Sequence, residues 1–249
     1  MDRYHHSNTP NNGIMQLVQI VESIPLTCAF FCDSEVLVSG TSDNMVTIWR
    51  IHRSSSSSPK LKLSHLMRGH GSAVLCIDAS RPWSLIVSGS EDGTAIFWDL
   101  NRAQYVRTIR HDRPVHSCAI NGITVSPSVI NNEQARIQTG CYFQGDVVTC
   151  SIDRLSIHTI NGGHITTLRL GVHERITSLA FHERETSQIG ILAAGSSDGT
   201  ITLRTWNAND TPPGEKAKWK LCTVHNLKMR REPEFEICRP TVTALMFVG

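Results

Sequence analysis

Ser88-Gly89-Ser90-Glu91-Asp92-Gly93-Thr94-Ala95-Ile96-Phe97-Trp98-Asp99-Leu100 decides the fold. Ile86 and Val87 lead into one short strand, Ala95 to Trp98 form a second, and Asp92-Gly93 lies between them. An Asp side chain bonds backbone two residues on and a Gly accepts positive φ, so the stretch predicts a tight β-hairpin. The hairpin is echoed along the chain. Ser42-Asp43-Asn44 precedes Met45 to Trp49, a turn at Asp153 precedes Leu155 to Ile160, and Ser197-Asp198-Gly199 precedes Thr200 to Trp206.

Aligned on these hairpins, Gly40, Gly89, Cys150 and Gly195 hold one position. They recur at roughly 40–50 residues with one longer interval, and alternating strand-like runs flank each. The units are approximately 14–52, 61–100, 104–160 and 164–206, with a partial unit at 217–249, after a polar, turn-forming linker or disordered terminus at 1–13. The long interval contains an insertion at 122–144, either a surface loop or an unspliced piece of a gene model. Four strands per unit is the arithmetic of a β-propeller, so the expected fold is all-β. Four to five recognisable blades are fewer than such rings usually use, which predicts an incomplete propeller, a fragment with open edges.

Bulk properties exclude several function classes. With 249 residues the chain can bury a sizeable core, and 24 Lys+Arg against 22 Asp+Glu give no reason to expect nucleic acid or an anionic membrane as partner. The eight cysteines lie mostly in apolar strand-like runs without a Cys-x-x-Cys pair, as expected for buried free thiols in a reducing compartment. No signal peptide is expected, and no apolar run approaches the ~20 residues of a membrane helix. The twelve histidines are spread without ligand spacing, so no metal is expected. No cofactor is called for either, because the Gly-rich turns open strands rather than phosphate-binding helices. Arg102, Arg107, Arg110 and Arg113 read as ordinary surface charges.

Gly69-His70, then Ser88 to Gly93, then Trp98-Asp99 together resemble a WD40 repeat, and the resemblance extends over about residues 14–249. It implies a buried hydrogen-bonded relay of His70, Ser88 or Ser90, Asp92 and Trp98. An indole N–H is donor-only and needs an acceptor when buried, which suits such a relay. A Ser-His-Asp set also suggests a hydrolase. The absence of a nucleophile elbow, and the recurrence of the set in fragments, favour a structural role and no enzyme activity. The other units carry partial relays: Asp43 and Trp49 in the first, and His111 and Asp153 in the third with His158 in the Trp slot. The fourth has His173 and Asp198, with Arg204 where Trp is expected and Trp206 two residues further on. These units are expected to rely instead on packed β-branched residues.

A narrower resemblance rests on Arg81-Pro82-Trp83-Ser84-Leu85 leading into the opening hairpin and Asn101-Arg102 after it. Gly145 to Cys150, Leu155-Ser156-Ile157, Ile160-Asn161-Gly162 and Ser187-Gln188-Ile189 add to it. Together they are similar to the C-terminal propeller of BEACH-domain proteins, the beige/neurobeachin/lysosomal-trafficking-regulator family. That resemblance implies a cytoplasmic scaffold, peripheral at endomembranes, joined to an upstream PH-like and BEACH region. It further implies roles in vesicle trafficking, lysosome or vacuole homeostasis and autophagy, with proteins or peptides bound through propeller faces and loops. The alternative is a generic WD40 adaptor, a ubiquitin-ligase substrate receptor or a signalling scaffold.

Overall fold

The computed structural model describes residues 25–54, 57–121, 146–152, 154–169, 175–182, 189–207 and 220–228. They form four four-stranded antiparallel sheets, each following chain order from its first strand to its last. The first sheet contains β1 (Leu26–Phe31), β2 (Val36–Thr41), β3 (Met45–Ser54) and β4 (Ser57–Arg68). The second contains β5 (Val74–Ser80), β6 (Leu85–Ser90), β7 (Thr94–Asp99) and β8 (Gln104–Arg110). The third contains β9 (Val115–Ile120), β10 (Asp146–Ser151), β11 (Arg154–Thr159) and β12 (His164–Arg169). The fourth contains β13 (Ile176–His182), β14 (Ile189–Ser196), β15 (Thr200–Asn207) and β16 (Lys220–Lys228). Leu61 to Leu66, which opens the second sequence unit, lies on the outermost strand of the first sheet. Strands β9 and β10 pair directly across 122–145, a segment outside the described residues.

The turns form as their chemistry requires. Gly93 and Gly199 sit at φ of 76° and 82°, and Asn44 takes the matching place in the first sheet at 65°. Asp99 closes the next connection by accepting the N–H groups of Asn101 (2.9 Å) and Arg102 (2.8 Å), so the chain reverses from β7 into β8.

Three apolar layers fill the spaces between successive sheets. Val38, Val46 and Ile48 meet Val74, Ile86 and Trp98 between the first two, while Val87 and Phe97 meet Cys118, Ile120 and Val147 between the next two. Val148, Leu155 and Ile157 meet Ile176, Leu179 and Leu192 between the last two. The inner strands approach closely because one glycine position leaves room. A Cβ on Gly40 would come 2.5 Å from Val74 Cγ1, and one on Gly89 would come 2.5 Å from Val115 Cγ1.

The register gives one further equivalence. Leu26, Val74, Val115 and Ile176 pair with Thr41, Ser90, Ser151 and Ser196 and hold the same place on the four inner strands. Val74 and Val115 are fully buried and Ile176 is 3% exposed, because a preceding sheet covers each. Leu26 is 49% exposed, and Phe31 on the same strand 63%. Among the described residues no sheet precedes β1. The described residues form an incomplete propeller, an open arc of four blades.

Candidate functional site

The second sheet brings His70, Ser88, Asp92 and Trp98 together. Trp98 Nε1 donates to Ser88 Oγ at 2.8 Å, and Ser88 Oγ lies 2.7 Å from His70 Nε2. His70 Nδ1 lies 2.9 Å from Thr94 Oγ1, which donates to Asp92 Oδ1 at 2.6 Å. The donor-only indole at one end and the acceptor-only carboxylate at the other fix the direction of every bond. Trp98 donates to Ser88, Ser88 to His70 Nε2, His70 Nδ1–H to Thr94, and Thr94 to Asp92. The neutral Nδ1–H tautomer of His70 follows.

Thr94 is the member that the sequence did not disclose; His70 Nδ1 lies 3.6 Å from Asp92 Oδ2. Ser90 stands outside the chain of bonds, donating to the Ser72 carbonyl and accepting the Asp92 N–H. The Gly of Gly69-His70 also has a role, since a Cβ there would lie 2.8 Å from the Trp98 ring. Burial lowers the His70 pKa, partly opposed by Asp92. Burial acts to raise the Asp92 carboxyl, but hydrogen bonds from the Thr94 hydroxyl and the Gly71 and Thr94 N–H groups outweigh it and hold it below the usual range. Ser88 is completely buried. A hydroxyl sealed on both sides by Trp98 and His70 offers no nucleophile to a substrate.

The other sheets vary the same position. In the first, Trp49 Nε1 lies 2.9 Å from both Ser39 Oγ and Thr47 Oγ1, while Asp43 is exposed in the turn. In the third, His158 pairs with Val147 where Trp98 pairs with Ile86, so it fills the indole's register position. Thr149 Oγ1 there lies 3.1 Å from His111 Nε2 and 3.5 Å from His158 Nε2, a polar centre rather than β-branched packing alone. Burial, with His111 and His164 nearby, pushes the His158 pKa down to about 4. Its Nδ1 is buried without a hydrogen-bond partner among the described residues.

In the fourth sheet Arg204 pairs with Leu192, in the same register position, and Ala194 stands where Ser88 does in the second. Asp198 organises its turn by accepting from the Ser196 hydroxyl and from the Thr200 N–H at 2.9 Å. Asp153 and His173 lie outside the described residues.

Burial pushes the Cys28 and Cys32 thiols up to about 11, and Cys118 is raised chiefly by its hydrogen bond with Cys76. Such thiols stay protonated and unreactive. Among the described residues no group of three or more His, Cys, Asp or Glu is placed to hold a metal ion. No helix among them is long and apolar enough to cross a membrane.

The family model "WD domain, G-beta repeat" matches residues 21–50, 61–99 and 157–204. These three segments are WD40 repeats. Among solved structures, the chain superposes on the RRP9 WD40 repeats with a TM-score of 0.53 and 17% identity, covering 81% of this chain and 52% of that one. On the computationally designed Ika8 protein the TM-score is 0.56 at 22% identity, over 90% of this chain and 53% of that one.

Its similarity to curated proteins is narrower. It is 30% identical to human WD repeat- and FYVE domain-containing protein 4 over 84% of this chain and 7% of that protein. It is 29% identical to human lysosomal-trafficking regulator over 75% of this chain and 4% of that protein. It is 25% identical to BEACH domain-containing protein A2 of Arabidopsis thaliana over 77% of this chain and 5% of that protein. The repeats resemble the propeller of BEACH-domain proteins, and the chain spans less than a tenth of these relatives' lengths.

Proposed function

We propose that this chain is the C-terminal WD40 part of a BEACH-type protein and serves as a non-catalytic protein-interaction scaffold in vesicle and endomembrane trafficking. Its work there concerns lysosome or vacuole homeostasis and autophagy, and it is cytoplasmic, peripheral at endomembranes. The observation that carries this reading is the 30% identity sustained over 84% of the chain. The name of lysosomal-trafficking regulator supplies the process for that relative. Packing supports the scaffold class: the polar relays are spent inside the blades, which leaves faces, loops and outer strands for recognition.

The units 14–52, 61–100, 104–160, 164–206 and 217–249 are proposed as its repeats, with 122–144 as an insertion. The relay residues are proposed to hold the blades. Two experiments test the reading. BEACH coding sequence directly upstream of Met1 in the genome is expected; an F-box there would replace it with a ubiquitin-ligase adaptor. Immunoprecipitation of the full-length protein with and without residues 14–249 should show partners lost on deletion. An unchanged partner set would remove the recruiting role.

A further inference from the structure

Beside the third sheet's His pair lies a cleft of about 490 Å³, bounded by β8 of the second blade and by β11 and β12 of the third. None of its lining residues lies on the innermost strands β5 and β9. Two of its walls carry three guanidinium groups, Arg107 and Arg110 from β8 and Arg154 from β11. The sequence separates Arg154 from the other two by the whole insertion.

The carboxylate that lines it, Asp112, is bonded to Arg154 at 2.7 Å. Arg107 lies against the backbone of Gly162, where a Cβ would come 2.6 Å from its Cδ, and donates to the Gly162 carbonyl at 3.3 Å. That leaves two positive charges in excess. His164 Nε2 and Thr167 Oγ1, 2.8 Å apart, supply polar atoms to the same space, and His158 forms part of its lining.

We propose that this cleft receives the phosphorylated side chain of a partner peptide. A phosphoryl group brings close to two negative charges and three acceptor oxygens, which suits an excess of two forked donors better than a single carboxylate does. A peptide is favoured over a lipid headgroup by the wall itself. Among the described residues β8 pairs only with β7, so its outer edge has backbone groups available for an extended chain. Tyr105 and Val106, 59% and 49% exposed on the same strand, offer apolar contact to flanking residues.

The inference names a partner class for the scaffold and rests on that reading, but its test does not depend on trafficking. The full chain is presented with an oriented peptide library carrying a fixed central phosphothreonine. The same library unphosphorylated, inorganic phosphate, and phosphatidylcholine vesicles containing phosphatidylinositol bisphosphate complete the set. Phosphorylated peptides should bind, with affinity falling as salt rises, and the unphosphorylated library should bind at least about tenfold more weakly. Arg107→Gln with Arg110→Gln, both exposed, should weaken phosphopeptide binding about tenfold or more, with an unchanged melting temperature. Arg102→Gln, outside the cleft, should leave binding intact.

Equal binding of both libraries, binding insensitive to the double substitution, or no binding by any probe would overturn the proposal. So would capture of the vesicles without the peptides. None of these results would restore or remove the partners found by deleting residues 14–249, so the two failures are distinguishable.

Discussion

The second and third blades solve one packing problem with different parts. Both place a hydroxyl in the middle strand, Ser88 or Thr149, between a histidine from the preceding loop and a ring from the third strand. In the second blade the ring is Trp98, whose single N–H is used and whose bonds run one way to Asp92. In the third it is His158, whose second nitrogen has no partner among the described residues. The position is dictated by strand register, but the stability that it yields depends on whether each polar atom is satisfied. At this position one blade has an indole that does not titrate, whereas the other has a buried titratable ring.

The largest expected difference comes from truncating the two rings. Trp98→Ala should cost about 3–5 kcal/mol as a large-to-small core change. His158→Ala should cost clearly less, because it also removes an unpaired buried nitrogen; thermal or denaturant unfolding reads both. Equal losses would show that the two centres are energetically alike.

Acid should separate the blades next. His158 titrates near 4 in the fold against an ordinary 6.5, so it stays neutral while the unfolded chain takes up a proton. Its contribution is whole above about 6.5 and is lost as the pH falls toward about 4, a loss of about 3 kcal/mol. His111 and His70 are also lowered by burial and act in the same direction. The protection factors at β11, corrected for the intrinsic exchange rate at each pH, should therefore fall in that window, and His158→Gln should remove much of the fall. An unaltered profile in the variant would assign the acid sensitivity elsewhere.

Smaller effects probe the supports. Gly89→Ala should cost about 1–3 kcal/mol, since Val115 and Cys76 fill the space a methyl needs. A neutral result would mean that the second and third blades can part slightly without loss. Thr94→Val should cost about 1 kcal/mol by breaking the link between His70 and Asp92, read as a modest fall in melting temperature. The same change at Thr149 tests whether the third blade depends equally on its hydroxyl.

What the sequence disclosed follows from the range of the interactions. Asp92, Gly93 and Trp98 were legible because turn chemistry fixes their spacing within one hairpin. Thr94 was not, since a threonine opening a strand looks like any other until its neighbours are placed. Thr149 and His164 reach His158 through pairings whose partners are separated by connections of different length. The charged cleft was illegible for a stronger reason. Arg107 and Arg110 become neighbours of Arg154 only when two blades stand side by side, and no periodicity within a strand reports that. Incompleteness could be counted from the repeats, but the exposure of Leu26 against the burial of Val74 is a property of the arc.

Among the described residues, the exposed inner strand β1 gives the arc a polarity. Surfaces shaped to accept the next blade are unlike those shaped to follow one, so copies meeting through β1 would join head to tail rather than about a twofold axis. Such a contact seals into a ring only when the arcs complete a full turn, and otherwise extends without limit. Any such contact would make the assembly state depend on chain concentration.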